Sequence, residues 1–228
     1  MKVFTFCIYG SNPKYCEGLV RNLETIQKEF PDFHTWIIAG NDVPQSYMDK
    51  YNTFKNVNII KSNETGHRLM CYRFFPIDFP QVDIMFVRDA DSRIGHRDKW
   101  CINEFIESKY NIFTIRDHPN HGTSIMGGQW GMKKIDGLKI TSMYKKYKEQ
   151  VEVLDAYQVD QTFLRMCIYR FYKDQFIAYV SLTTLIFPIE NYKMIGVEKK
   201  DNFDFCGNVI DYDSTGKEYY VYTTTGIA

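Results

Sequence analysis

The sequence VDIMFVRDADSR at residues 82–93 is the strongest indication of the fold. Its first half, residues 82–87, is apolar almost throughout, which is typical of a central strand buried on both faces of a parallel sheet. The run ends in Asp89 and Asp91, two carboxylates separated by one residue. Because ligands of open α/β sheets bind beyond the carboxyl ends of the strands, the stretch predicts a polar site at the end of this strand.

Short apolar runs alternate with amphipathic stretches on both sides of this strand, which indicates βαβ units around a mostly parallel central sheet flanked by helices. The predicted strands are 3–9, 35–39, 57–60, 82–87, 111–115 and 176–180, and the candidate edge strand is 218–223. The predicted helices are 13–30, 69–75 (ending before Pro76), 100–108, 139–149 and 158–169. We expect a single α/β domain over residues 1–228, in which a nucleotide-binding half reaches to about residue 95.

Composition excludes several classes of protein. The 228 residues carry 28 basic and 28 acidic side chains, and this balance argues against a nucleic acid or an anionic membrane as a partner held by bulk charge. No apolar run approaches the ~20 residues that span a bilayer, so no integral membrane segment is expected. The six scattered cysteines form no C-x-x-C pair and are typical of buried thiols in a reducing compartment, so a cytoplasmic location is expected.

Asp89 and Asp91 are the sharpest chemical feature. Two carboxylates this close together can share one hard divalent cation, and their mutual repulsion makes the pair costly without one. Mg²⁺ or Mn²⁺ held in this way keeps positions open for phosphate oxygens and can neutralise a departing diphosphate. The alternative is a turn whose aspartates cap the next helix, but the apolar strand before them and the flanking Arg88 and Arg93 favour a site.

Two further motifs follow later in the chain. Residues 115–121, IRDHPNH, come directly after a strand, and Asp117 can act as an acid or base, or His118 or His121 as a metal ligand. Residues 125–131, IMGGQWG, bring backbone close to a ligand, and Trp130 can stack on a sugar face. The alternatives are a loop bonded to its own backbone and a tight connection whose indole lies in the core. The glycine spacing matches neither a Walker loop nor a G-x-G-x-x-G motif.

Two weaker candidates lie on predicted helices. Asp160 and Gln161 fall near a helix start, where they either face a site or cap the free amides. Arg68 shares a helical face with Tyr72, and Arg73 lies beside them. An arginine here can hold phosphate or ribose, although an arginine in solvent is the commoner case.

In this order, the segments YRFFP (72–76), RDADSR (88–93), RDHP (116–119), IMGGQWG (125–131) and DQ (160–161) resemble a known signature. It is that of nucleotide-diphospho-sugar glycosyltransferases of the GT-A fold, a Rossmann-like single domain. Chlorella-virus and bacterial glycan-building enzymes are the particular groups that the chain is similar to, over residues 3 to about 170.

The resemblance implies a metal-dependent hexosyl- or pentosyltransferase that moves a sugar from a nucleotide diphosphate, a UDP-sugar first of all, to a hydroxyl of a growing glycan. Residues 96–228 then form the acceptor half, and a virus-encoded enzyme would work in the host-cell cytoplasm. The implied metal ligands for Mn²⁺ or Mg²⁺ are Asp89 and Asp91. The implied donor contacts are Tyr9, Gly10, Arg68, Arg73 and Arg88. The implied substrate contacts are His118, Gly127, Gly128 and Trp130, and the implied catalytic residues are Asp160, Gln161 and Asp117.

One departure from the family concerns the metal. Those enzymes usually take a third ligand from a late histidine, and no histidine follows His121 in this chain. Either His118 or His121 substitutes, or phosphate and water complete the coordination shell.

Two rival functions remain at this point. A phosphohydrolase of the haloacid-dehalogenase type also carries a strand followed by Asp-x-Asp, but its motif ends the first strand. A non-catalytic glycan-binding module would use Trp130 and the tyrosines as stacking platforms and would not need paired carboxylates.

Overall fold

Eight strands form the central sheet of the computed structural model, which describes residues 1–152 and 155–227. In chain order they are β1 (Lys2–Ile8), β2 (His34–Gly40), β3 (Val57–Ser62), β4 (Ile84–Arg88), β5 (Ile112–Arg116), β6 (Gln129–Lys133), β7 (Phe176–Val180) and β8 (Asn191–Met194). Their order across the sheet is β3-β2-β1-β4-β6-β5-β7-β8. The predicted central strand is therefore central, because β4 lies between β1 and β6.

The sheet is parallel except at β6, which runs antiparallel to both β4 and β5. The prediction of an α/β fold with a mostly parallel sheet is confirmed. Strand β6 was not predicted, because its short sequence QWGMK follows two glycines and contains a third glycine between its two apolar side chains, Trp130 and Met132. Strand β8 was also missed, since all four of its residues are exposed at the edge of the sheet.

Helices cover both faces of the sheet. They are α1 (Pro13–Glu29), α2 (Gln45–Tyr51), α3 (His96–Glu107), α4 (Ile140–Gln150) and α5 (Val159–Phe163). Alternate residues of β1 divide between the two layers: Phe4 and Phe6 pack with α1 and α3, whereas Val3 packs with α4 and α5. This period of two on a buried strand produces two cores and a three-layer α/β/α arrangement.

Two helical segments differ from their predictions. Residues Gly66–Asp78 form a continuous 3₁₀ segment that includes Pro76, where an α-helix was predicted to end. The tighter i to i+3 pattern continues through Pro76, and Phe79 N–H still bonds the Pro76 carbonyl at 3.2 Å. The last predicted helix begins as α5 and continues as a π-helix over Leu164–Tyr169, a form frequent at functional sites.

The C-terminal segment, residues 206–227, packs against the loop that follows β4. It contains β9 (Ile210–Tyr212) paired with β10 (Glu218–Tyr220), and β11 (Tyr222–Thr223) paired with β12 (Gly226–Ile227). The candidate edge strand 218–223 is thus two short strands outside the main sheet. Ile210 N–H donates to the Asp91 carbonyl at 2.8 Å, which fixes this segment beside the Asp-x-Asp motif.

None of the helices in the described residues is long and apolar enough to span a membrane.

Candidate active site

A cleft of about 340 Å³ opens at the carboxyl ends of β1 and β4. Its lining residues are 7–9 at the end of β1, 14–15 of α1, 89–91 after β4, 127–128 before β6, 157–161 around α5, His67, Met70 and Arg73 of the 3₁₀ segment, and Val209, Val221 and Tyr222 of the C-terminal segment. It lies where the strand order reverses beside β1, the usual ligand position in such sheets.

Asp89 and Asp91 both face this cleft. Their side chains are 40% and 14% exposed, so one carboxylate is half open and the other is nearly buried. Burial, and then the negative charge of Asp89, raise the pKa of Asp91 to about 6, while Lys14 opposes the shift. The raised pKa shows that two carboxylates this close together repel each other, and a cation bound between them would relieve that repulsion.

Two glycines let the chain approach these carboxylates. A Cβ atom at Gly128 would lie 1.9 Å from Asp89 Oδ2, and one at Gly127 would lie 2.5 Å from Asp160 Oδ2. No other residue type fits these two positions without moving a carboxylate. The predicted close approach of backbone is thus found, although the groups approached are the aspartates of the cleft.

Arg73 connects Asp89, which follows β4, with Asp160 at the start of α5. Its side chain is only 2% exposed; Nη1 donates to Asp89, and Nη2 donates to Asp160 Oδ2 at 2.7 Å. Burial alone would lower the pKa of Arg73, but the charges of Asp89 and Asp160 raise it on balance. Arg73 was predicted as a contact to phosphate or ribose; instead both of its terminal nitrogens hold aspartates.

Asp160 and Gln161 enter the cleft from the start of α5. Asp160 is 6% exposed, and its second oxygen, Oδ1, accepts the backbone N–H of Gln161 at 2.8 Å. Both oxygens are therefore fixed, and the carboxylate keeps one orientation across the cleft from the Asp-x-Asp motif.

The donor set of the cleft suits a hard cation shared with phosphate. Asp89 and Asp91 supply oxygen ligands, and Mg²⁺ typically takes one or two carboxylates and completes its shell with water and substrate phosphates. Within residues 1–152 and 155–227, no three His, Cys, Asp or Glu side chains lie close enough together to bind a metal alone. The residues present therefore fit a Mg²⁺ or Mn²⁺ ion that arrives with a diphosphate.

The structure does not bring the predicted third ligand, His118 or His121, into the cleft beside Asp89 and Asp91. His118 Nε2 bonds the Thr223 carbonyl at 2.7 Å, and its ring stacks on Phe205. His121 Nδ1 accepts the Asp117 N–H at 3.1 Å, and burial lowers the pKa of His121 to about 4. Both rings anchor the loop after β5, and neither histidine lines the cleft. The predicted substrate contact at His118 therefore lies outside the cleft as well.

Asp117 does not reach the cleft either. It is fully buried, and Arg97 donates to both of its oxygens at 2.6 and 2.7 Å. The Cys206 N–H also donates to it at 2.9 Å. Because the carboxylate is enclosed in this way, the structure does not bring this predicted acid or base together with the carboxylates of the cleft. It holds the C-terminal segment to α3 and β5.

Arg88 and Trp130 are core residues as well. Arg88 is 1% exposed and donates to Asp98 at 3.1 Å. Trp130 is fully buried and packs edge-on against Phe74. Neither side chain lines the cleft, so the structure places the predicted phosphate contact, Arg88, and the predicted sugar platform, Trp130, in the core.

Of the three remaining donor contacts, Tyr9 lines the cleft. Gly10 lies just outside the lining, in a left-handed turn with φ of 68° that directs the chain from β1 toward α1. Arg68 is exposed to solvent outside the cleft.

The structure adds cleft residues that the sequence analysis did not select. Lys14 and Tyr15 open α1, and their position after the first strand is a signal that could have identified them. Tyr157 is 81% exposed at the cleft edge, with its ring at 6.1 Å from that of His67. Val209, Val221 and Tyr222 arrive through long-range packing, for which no local pattern exists.

We expect Trp130 and Tyr157 to respond oppositely to substitution. Trp130→Phe should lower the free energy of unfolding by about 1–2 kcal/mol, because a void replaces part of a buried ring. It should leave the affinity of the cleft for its ligand unchanged. Tyr157→Ala should leave the free energy of unfolding unchanged and weaken ligand binding, because an exposed ring at the cleft edge can stack on a ligand. Urea titration and calorimetric ligand titration on both variants separate the two roles; a loss of ligand affinity in Trp130→Phe would contradict the assignment.

No family model matches the chain, and no curated protein matches its sequence. Solved structures do match it. One is a glycosyltransferase involved in the glycosylation of the major capsid of PBCV-1, at 14% identity over 79% of this chain and 81% of that one, with a TM-score of 0.54. Another is galactosyltransferase LgtC in complex with donor and acceptor sugar analogues, at 13% identity over 79% and 74%, with a TM-score of 0.53. The chain has the GT-A fold.

Two further matches show how broadly the GT-A fold is used. The mannosyltransferase PcManGT from Pyrobaculum calidifontis, in complex with GDP-Man and Mn²⁺, matches at 8% identity over 87% of this chain and 57% of that one, with a TM-score of 0.51. A 4-diphosphocytidyl-2C-methyl-D-erythritol synthase from Anaerococcus prevotii matches at 11% identity over 81% and 91%, with a TM-score of 0.50. Because one fold hosts different reactions, function has to be argued from the residues in the cleft.

Proposed function

We propose that this protein is a glycosyltransferase that moves a sugar from a nucleotide diphosphate, most simply a UDP-sugar, to a hydroxyl of a growing glycan. The observation that carries the proposal is the pairing of Asp89 and Asp91 at the end of β4 with Asp160 across one cleft. Asp89 and Asp91 follow β4, whereas Asp160 lies at the start of α5, and Arg73 connects Asp89 with Asp160.

The proposed metal position is at Asp89 and Asp91. A Mg²⁺ or Mn²⁺ ion bound there would supply Lewis-acid stabilisation of the negative charge that a leaving diphosphate develops. The oxygens of Asp89 and Asp91 would hold the ion in place beside the diphosphate. Gly128 leaves room for the Asp89 carboxylate, and Gly127 leaves room for the Asp160 carboxylate. The fold match to a mannosyltransferase complex with GDP-Man and Mn²⁺ supports this cofactor class for the present chain.

Asp160 and Gln161 are the proposed groups at the reacting carbon. Asp160 has both oxygens hydrogen-bonded, so its charge has a fixed direction and can stabilise positive charge that develops on the sugar ring. The Gln161 side chain lies beside Gly127 on the same wall. Since Asp117 is sealed in the core, Asp160 is also the remaining candidate among the predicted residues for taking the proton of the acceptor hydroxyl.

The rival functions lose support from particular contacts. A haloacid-dehalogenase-like phosphohydrolase carries its motif after the first strand, whereas Asp89 follows the fourth strand in chain order. A glycan-binding module built on Trp130 would need an exposed indole, and Trp130 is buried. The synthase match makes a nucleotidyltransferase the remaining alternative on this fold.

The test is incubation of the purified protein with Mn²⁺ and a panel of UDP- and GDP-sugars, with and without glycan acceptors, and in parallel with nucleoside triphosphates and phosphorylated acceptors. A glycosyltransferase releases the nucleoside diphosphate, and the rate increases when an acceptor is added. A nucleotidyltransferase instead consumes nucleoside triphosphate and releases pyrophosphate. Pyrophosphate release without any turnover of nucleotide sugars would overturn the proposal.

Asp160→Asn should lower kcat by about 100-fold, because a neutral amide cannot stabilise developing positive charge or accept a proton. The donor Kd should change by less than about threefold, since Asp160 is assigned to the reacting carbon and not to the nucleotide. Calorimetry for the donor and steady-state kinetics test this split. Asp174→Asn, at an exposed aspartate outside the cleft, is the matched control. A loss of donor affinity equal to the loss of kcat would remove Asp160 from the reacting centre.

A further inference from the structure

Lys14 occupies an unusual position in the cleft. Its Nζ lies 3.5 Å from Asp91 Oδ2 and 4.0 Å from Asp211 Oδ2, between the Asp-x-Asp motif and β9. Its side chain is 19% exposed, so it is largely enclosed but still reaches the cleft. The ammonium therefore lies between two carboxylates, as a bound cation would.

Both distances are longer than the 2.7–2.9 Å of a charge-assisted hydrogen bond, so Lys14 is shared loosely between its partners. The backbone at Lys14 is fixed, because its N–H donates to Asn12 Oδ1 at 2.9 Å in the first turn of α1. The anchor is thus rigid, while the four-carbon stem beyond it can redirect the ammonium.

Lys14 and Arg73 are the lysine and arginine among the described residues that line the cleft. Arg73 is 2% exposed, and its terminal nitrogens already donate to Asp89 and Asp160. Lys14 is consequently the cationic side chain of the cleft that can move to an incoming diphosphate.

We propose that Lys14 is an exchangeable counter-cation. Its ammonium neutralises Asp91 when no metal is bound, and it moves to contact the donor's phosphate oxygens when a divalent cation replaces it beside Asp91. The inference rests on the proposed function, because it assumes a diphosphate donor and a divalent cation at Asp89 and Asp91. It assigns Lys14 two opposite effects: it competes with the metal alone and cooperates with the nucleotide.

The test measures binding, not turnover, on the wild-type protein and Lys14→Met, which keeps an apolar stem of similar length. Without nucleotide, Lys14→Met should bind Mn²⁺ about tenfold more tightly by electron paramagnetic resonance of the free ion, because the competing ammonium is gone. With saturating Mn²⁺, it should bind UDP about tenfold more weakly by calorimetry. Lys14→Arg, which keeps the charge, should recover much of the UDP affinity.

Lys50→Met is the matched control, since Lys50 pairs with Glu17 at 3.1 Å outside the cleft. It should change neither affinity. Mn²⁺ affinity that is unchanged or weaker in Lys14→Met would overturn the exchange, even if the wild type transfers sugar. Absence of Mn²⁺ binding to both proteins without nucleotide would overturn the exchange, and its absence in the presence of UDP as well would also overturn the metal dependence. The expected pair of shifts in a protein that turns over no nucleotide sugar would leave the exchange standing and remove the proposed function.

Discussion

Asp91→Asn should abolish sugar transfer, with kcat/KM falling by about a thousandfold, while the protein remains folded. The amide keeps the size of the side chain but removes the charge that a divalent cation requires. Asp89→Asn should lose activity to a similar extent, because each aspartate supplies half of the proposed ligand set. Nucleotide release from the donor with Mn²⁺, measured across both variants, checks this result.

The thermal stability of Asp91→Asn gives a second test, independent of activity. The pKa of Asp91 is raised to about 6, above its ordinary value of 3.8, so keeping Asp91 charged at pH 7 costs the folded state free energy. That cost appears as the pH rises through 4 to 6 and is absent in the asparagine variant. Asp91→Asn should therefore melt no lower than the wild type at pH 7. Asp136→Asn, at an exposed aspartate, should change neither melting nor activity.

The same shift predicts how Mn²⁺ binding depends on pH. Below pH 6 the Asp91 carboxyl carries a proton that the metal must displace, so wild-type Mn²⁺ affinity should fall as the pH is lowered from 7 to 5.

For the two asparagine variants, Asp89→Asn and Asp91→Asn, near-normal Mn²⁺-dependent turnover in either one would contradict the metal assignment.

The sequence predicts the sheet well because its main signals are local. The apolar run that became β4 and the paired aspartates after it are both visible within twelve residues. Residues 176–180 form β7 with the bounds that their apolar run predicts. Strand β6 was not predicted because the glycines before it and within it obscure the alternation of its two apolar side chains. Its antiparallel direction depends on pairing with β4 and β5, which no local pattern encodes.

The residues selected from the sequence lie partly in the cleft and partly in the core. Asp89, Asp91, Gly127, Gly128, Asp160 and Gln161 were selected from the sequence and line the cleft. Asp117, Trp130 and Arg88 have the same residue chemistry but are buried by partners far along the chain. Arg97 encloses Asp117 from 20 residues away, and Phe74 covers Trp130 from 56 residues away. Residue type and spacing cannot distinguish a buried ion pair from an exposed acid; only packing does.

Arg73 is where the second large effect is expected. Arg73→Met should lower the free energy of unfolding by about 3 kcal/mol, because Asp160 is left buried without its cationic partner. Activity should fall by at least about a hundredfold, since Asp89 and Asp160 both lose the group that orients them. Thermal melting and steady-state kinetics at several donor concentrations measure the two effects.

Arg73→Lys separates position from charge. An ammonium restores positive charge between the aspartates, but it lacks the planar fork through which Nη1 reaches Asp89 while Nη2 reaches Asp160. Most of the stability should therefore return in this variant, whereas kcat should remain low and the donor Kd should stay within a few-fold of wild type. If Arg73 contacted phosphate directly, Arg73→Lys would instead recover kcat. Arg73→Met would then show a larger loss of donor affinity than of kcat. The buried position of the guanidinium favours the first outcome, because a side chain that is 2% exposed acts on the donor through the carboxylates it holds.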